Sequence, residues 1–147
     1  MKARIKISIV FFISIIGMSF KTLNSSEEVK FFTGTWKDLF VKAQSENKPV
    51  MVYMTATWCG LCEFTEDSVF TIDTAYNYLN ENFICYKTDG KSKEARKLRA
   101  EYPVEGYPCY FYFNPQGKLL RQTNTFMFSA QLQKDAEKAM KKYKRGF

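Results

Sequence analysis

The stretch KPVMVYMTATWCGLCEF, Lys48 to Phe64, runs from an apolar segment into two cysteines three positions apart. PVMVYM is short, nearly continuous in apolar character and contains Val and Tyr, which predicts a strand buried on both faces. A helix is expected to follow the cysteines through Glu63 to Val69. Strand, Cys-x-x-Cys, helix is an order with chemical consequences. A free cysteine, with a pKa near 8.5, is mostly protonated at neutral pH, and only its thiolate attacks disulfides. A helix N-terminus offers unpaired N–H groups and the positive end of the dipole, both of which favour a thiolate. A second cysteine one turn later can reach the first and break any mixed disulfide it forms. Cys59 is thus the candidate nucleophile and Cys62 the candidate resolving thiol.

The flanking sequence supplies a scaffold. Upstream, WKDLFVKAQ places Trp36, Leu39, Phe40 and Ala43 at helical spacing, and Asn47-Lys48-Pro49 stops that helix. Downstream, Asp73 is expected to cap a helical TAYNYLNEN, and FICYKT reads as a second strand. Ser92 is expected to cap KEARKLRAEY, whose Ala95, Leu98 and Tyr102 share one face, and the helix must end before Pro103. CYFYF is a third strand, NPQG a turn, and KLLRQT its antiparallel partner. Ser129 is expected to cap a last helix with Leu132, Ala136, Ala139 and Met140 on its apolar side. The order α-β-α-β-α-β-β-α implies an α/β fold of three layers. Its central mixed sheet of about four strands would carry helices on both faces.

At this point the chain resembles the thioredoxin superfamily. WCGLC after an apolar strand is similar to that family's active-site motif, and GYPCYFYFNPQGKLL resembles its Gly-x-Pro strand. The likeness runs from about Trp36 to Met140. KPVMVYMTATWCGLCEF is most similar to the exported branch that contains the C-terminal domain of the disulfide reductase DsbD. The resemblance implies a cis Tyr107–Pro108 bond facing the cysteine pair, with Pro108 guarding Cys59 and presenting backbone to an extended substrate. It also implies that Trp58, Gly60, Leu61 and Tyr107 shape the docking surface. Family members often bury an acidic residue in the strand before the motif, with a lysine nearby. Here Tyr53 stands at the first position and Cys85 near the second, leaving Glu63, Glu66, a water or nothing to take the role. Cys109, directly after Pro108, is unusual for the family. It is a possible third thiol, or else a small buried residue of a central strand. A Cys85–Cys109 bridge is not expected, because the motif strand lies between theirs.

Composition sets the context. The 147 residues, 17% of them aromatic, suffice for one domain with a real core, so the four cysteines are not needed as staples. Lys2, Arg4 and Lys6 precede an uncharged run from Ile7 to Phe20, which reads as a secretory signal over residues 1–20. A retained membrane tether is the other reading of that run. Residues 21–32 read as a linker and 33–147 as the domain. Export, to a periplasm or the extracellular space, would permit disulfides. Of the net charge of +7, three units belong to the leader, and much of the rest to KDAEKAMKKYKRGF. That stretch reads as a solvated helix end complementing the dipole, not as a nucleic-acid surface.

The chain has no histidine, which excludes a Cys–His nucleophile. A zinc site would have to take Cys85 and Cys109, which come singly from strands, so no metal is expected. Gly60 and Leu61 bring no charge to Cys59, and a less stabilised thiolate makes a less oxidising disulfide. The expectation is therefore an exported protein-disulfide reductase without a bound cofactor beyond the Cys59–Cys62 disulfide. It would act as a monomer on protein thiols and disulfides and exchange electrons with a partner protein, for which the branch resemblance implies a membrane electron donor as one candidate. The rival is a non-catalytic binding module on the same scaffold.

Overall fold

A computed structural model describes residues 28–146. The residues read as a signal, 1–20, lie outside that range. Helix α1 (Trp36–Glu46) is closed at its start by a capping box, in which Thr35 Oγ1 accepts from Asp38 N at 3.2 Å and the Asp38 carboxylate accepts from Thr35 N at 3.2 Å. Asn47 ends it in the left-handed region, at φ 47°. Strand β1 (Val50–Thr55) follows, buried at all six positions.

Helix α2 (Gly60–Phe64) is shorter than expected, because a π turn takes over at Thr65–Val69. The cause is local. Thr65 Oγ1 donates to Leu61 O at 2.7 Å, competing with the backbone ladder, and Phe70 N reaches back five residues to Thr65 O. Helix α3 (Asp73–Asn82) begins one residue earlier than expected, at the expected cap itself. Ile72 holds the cap position, and Asp73, inside the first turn, accepts from Thr74 N at 2.7 Å. Strand β2 (Ile84–Asp89) leads to α4 (Lys93–Glu101), where Ser92 Oγ accepts from Ala95 N as a true cap. Strands β3 (Cys109–Phe113) and β4 (Leu119–Thr123) flank a turn in which Gly117 adopts φ 83°. Helix α5 (Ser129–Lys144) also starts one residue earlier than expected. Phe128 is its cap residue, with its N–H donating to Gln131 Oε1 at 3.0 Å, and Ser129 is the first helical residue. Lys141, Lys142 and Lys144 lie in its last turn, where the dipole favours cations.

The sheet order is β2-β1-β3-β4, with β1 parallel to β2 and antiparallel to β3, and β3 antiparallel to β4. Alternation along β1 divides the core. Val50, Val52 and Met54 join Leu39 and Ala43 of α1 and Ala95 and Leu98 of α4 on one face. Met51 and Tyr53 join Cys62, Ala75, Leu79, Leu132 and Ala136 on the other. The expected three-layer α/β architecture is what forms.

The domain starts earlier than residue 33. Val29 is 4% exposed, its N–H donates to Phe70 O, and Phe32 N donates to Cys85 O at 2.7 Å. Asn80 of α3 pins the same segment by accepting from Lys30 N and donating to Glu28 O. Residues 28–32, expected to be linker, are thus packed onto the fold, because Val29 and Phe31 cover the open edge of the α3 core.

Helix α5 is tied to β4 by a nearly buried carboxylate. Asp135 accepts from Arg121 Nε at 2.6 Å and from Thr123 Oγ1 at 3.0 Å. Removing one partner of such a pair strands the other without compensation. Asp135→Ala is expected to lower unfolding free energy by about 3 kcal/mol, read by urea denaturation. A loss below ~1 kcal/mol would show that solvent takes over the Arg121 guanidinium.

Candidate redox site

The site forms where β1 ends. Gly90 N donates to Thr55 O at 2.8 Å, closing the β2 side, and the chain turns through Ala56 so that Cys59 N meets Ala56 O. Cys59 becomes the N-cap of α2, with φ −94° and ψ 97°. Its sulfur accepts from Cys62 N at 3.1 Å, so a helix-terminal N–H points at it. Cys59 and Cys62 form a disulfide with Cα atoms 5.2 Å apart. The two sulfurs differ in access. Cys59 is partly exposed, while Cys62 is 1% exposed and packed in the α3/α5 core. An incoming group can therefore reach only Cys59.

The peptide bond between Tyr107 and Pro108 is cis, and Pro108 is buried. Trp58 is 71% exposed, a surface residue and not core filling, with its ring edge-on to Tyr107 at 5.7 Å. Tyr107 in turn lies over Gly90, where an added Cβ would fall 2.2 Å from the Tyr107 hydroxyl. Gly90 had no signal in the sequence, yet only a residue without a side chain leaves room for that ring. Around Gly60 there is open space, and Leu61 is 53% exposed, so the surface just after Cys59 is bare.

Beneath the pair lies Tyr53, at the position where the resemblance implied an acidic residue. Its hydroxyl donates to Cys62 O at 3.1 Å, fixing the first turn of α2 from below. Burial pushes its ionisation far above the usual phenol value, so it serves as a donor and cannot act as a base at physiological pH. The carboxylates lie to the side. A cleft of ≈ 660 Å³ beside Cys59 is lined by Trp58, Glu63, Glu66, Asp67, Lys87 and Asp89. Within it Lys87 is ion-paired with Glu66.

The remaining cysteines stand apart. Cys109 pairs with Met54 in the sheet register, and its side chain belongs to the α1/α4 core, on the opposite face from Cys62. Its thiol donates to Asn124 Oδ1. A third thiol beside the redox pair is therefore not what the structure places there, because strand alternation turns Cys109 away. Cys85 lies in the α3/α5 core. Both are free, and burial pushes each thiol up to about 12.

Neutral buried thiols do not react. The oxidised protein is expected to take up no Ellman's reagent when native and two equivalents when unfolded; rapid native labelling would contradict the buried placement. Stability follows the same groups. The unfolded thiols ionise near 8.5 and the folded ones only near 12, so stability is expected to fall as pH rises above about 9.

With the fold and site in place, the class is defined. The family model described as "Thioredoxin-like domain" matches residues 36–144, and the chain belongs to that family. Among known proteins it is similar to "Thioredoxin H1" of Arabidopsis thaliana, 31% identical over 86 residues, 58% of this chain and 69% of that one. It also resembles the solution structure of a candidate disulphide-isomerase from Bacteroides thetaiotaomicron. There the TM-score is 0.70 at 25% identity, covering 77% of this chain and 93% of that one. The oxidised C-terminal domain of DsbD from Neisseria meningitidis shares the fold, with a TM-score of 0.62 at 18% identity, covering 75% and 99%.

Proposed function

We propose that this chain is a thiol–disulfide oxidoreductase that reduces disulfides in exported proteins. The observation that carries the reading is the asymmetric Cys59–Cys62 pair at the start of α2, one sulfur open and one enclosed. In the reduced protein, Cys59 as thiolate attacks one sulfur of a client disulfide. An S–S bond forms between Cys59 and the client, and the client's other sulfur leaves as a thiolate. Cys62 then loses its proton and attacks Cys59. The mixed disulfide breaks, the Cys59–Cys62 bond closes, and the client departs with two thiols. Two electrons pass from the pair to the client. A partner dithiol must return them, and the branch that KPVMVYMTATWCGLCEF resembles supports a donor held at a membrane.

The neutral Gly60 and Leu61 between the cysteines support the reducing direction. Equilibration of the pair in thiol buffers tests it. A potential near about −270 mV supports a reductase, whereas one towards about −120 mV makes the protein an oxidant and overturns the direction.

A further inference from the structure

The helix that bears the redox pair exposes two different stripes. Leu61 and Phe64, three apart, make an apolar one, 53% and 46% exposed. Phe126 from the segment before α5 packs edge-on to Phe64 at 5.7 Å, and Phe128 edge-on to Phe126 at 4.9 Å. The other stripe contains Cys59 itself. Glu63 of α2 and Glu66 and Asp67 of the π turn line the same cleft as Cys59, and β2 contributes Asp89 across it. Four carboxylates thus line the groove that leads to the accessible sulfur, in a chain whose net charge is +7.

Lys87 shows what such a groove holds. It is the protein's own ammonium group, seated in the cleft on Glu66. Glu63, Asp67 and Asp89 have no ion-pair partner among the described residues. Nor do they converge, since no group of three among the described residues could hold a metal ion. Carboxylates spread along a groove match cations spread along a chain.

We propose that the groove selects client disulfides whose cysteine is flanked by lysine or arginine, with an apolar neighbour on the Leu61–Phe64 side. This rests on the oxidoreductase reading and names its substrate class. The effect belongs to encounter and register, where complementary charge raises association rates and salt removes the gain.

The test uses two peptides, Gly-Lys-Cys-Lys-Gly and Gly-Glu-Cys-Glu-Gly, each as the mixed disulfide with thionitrobenzoate. Release of the coloured thiolate by the reduced full chain gives each rate. Dividing by the rate with β-mercaptoethanol removes intrinsic reactivity. The lysine peptide is expected to react about tenfold faster at low salt, with the ratio collapsing at high salt. Glu63→Lys with Asp67→Lys is expected to invert the ratio, with near-ultraviolet circular dichroism matching the wild type to show that the fold is kept. Equal rates, a preference for the glutamate peptide, or a ratio untouched by the double substitution overturns the charge selection alone. If neither peptide is reduced, the oxidoreductase reading fails and this one with it.

Discussion

Cys59→Ser is expected to abolish disulfide reduction, by about a thousandfold or more against any cystine substrate. A serine hydroxyl is not ionised at neutral pH and cannot enter an S–S bond, so the first step has no nucleophile. The structure explains why nothing else substitutes. Cys62 is 1% exposed and lies under the first turn of α2, where Tyr53 also holds its carbonyl. Cys85 and Cys109 are buried, and their thiols are neutral until about pH 12. The substitution removes one atom's identity at a partly exposed helix cap, so the fold should survive. Near-ultraviolet circular dichroism matching that of the reduced wild type would confirm it. Insulin reduction gives the activity. Residual turnover of a tenth or more from a folded Cys59→Ser variant would remove Cys59 from the nucleophile's place, and the binding-module reading would become the better one if the wild type itself were inactive.

What the sequence disclosed follows from where its signals are local. The strand, Cys-x-x-Cys and helix order was legible because PVMVYM lies between a stop at Asn47–Pro49 and a motif with its own spacing. Ser92 declared its helix for the same reason, since a cap and its first turn are neighbours. Ser129 and Asp73 misled by one residue, because both sit beside a helix start and either position suits a short polar side chain. The π turn was invisible, since it depends on how one hydroxyl at Thr65 spends its donor. The side taken by Cys109 could not be read from CYFYF, where all five residues are apolar and buried, so alternation leaves no trace. The groove was hidden for another reason. Glu63 and Glu66 were visible as neighbours of the pair, but Lys87 and Asp89 join them only through the parallel pairing of β1 with β2. Nothing local in SSEEVKFF would have announced residues 28–32 as part of the fold either. That segment is held by long-range bonds to Asn80, Phe70 and Cys85.

Cys62→Ser should have a different phenotype from Cys59→Ser, and the difference is what defines the two roles. Cys59 keeps its place at the helix N-terminus, accepting from the N–H of residue 62, a backbone group that the substitution leaves in place. The first attack therefore proceeds, and the client is captured as a mixed disulfide. Release then needs a second thiol within bonding reach of Cys59. In the wild type that thiol is Cys62, one turn away with its Cα at 5.2 Å. No other cysteine can stand in, since Cys85 and Cys109 are buried in strands on either side of β1. Turnover is expected to fall about a hundredfold, while an adduct of one protein and one client accumulates. Intact mass would show it, and dithiothreitol should release the client unchanged apart from its reduced cysteines. Undiminished turnover without an adduct would mean that the client's own second thiol resolves the intermediate. Cys62 would then serve only to store the oxidised state, and the enclosed position of its sulfur would reflect protection from solvent, not delivery to Cys59.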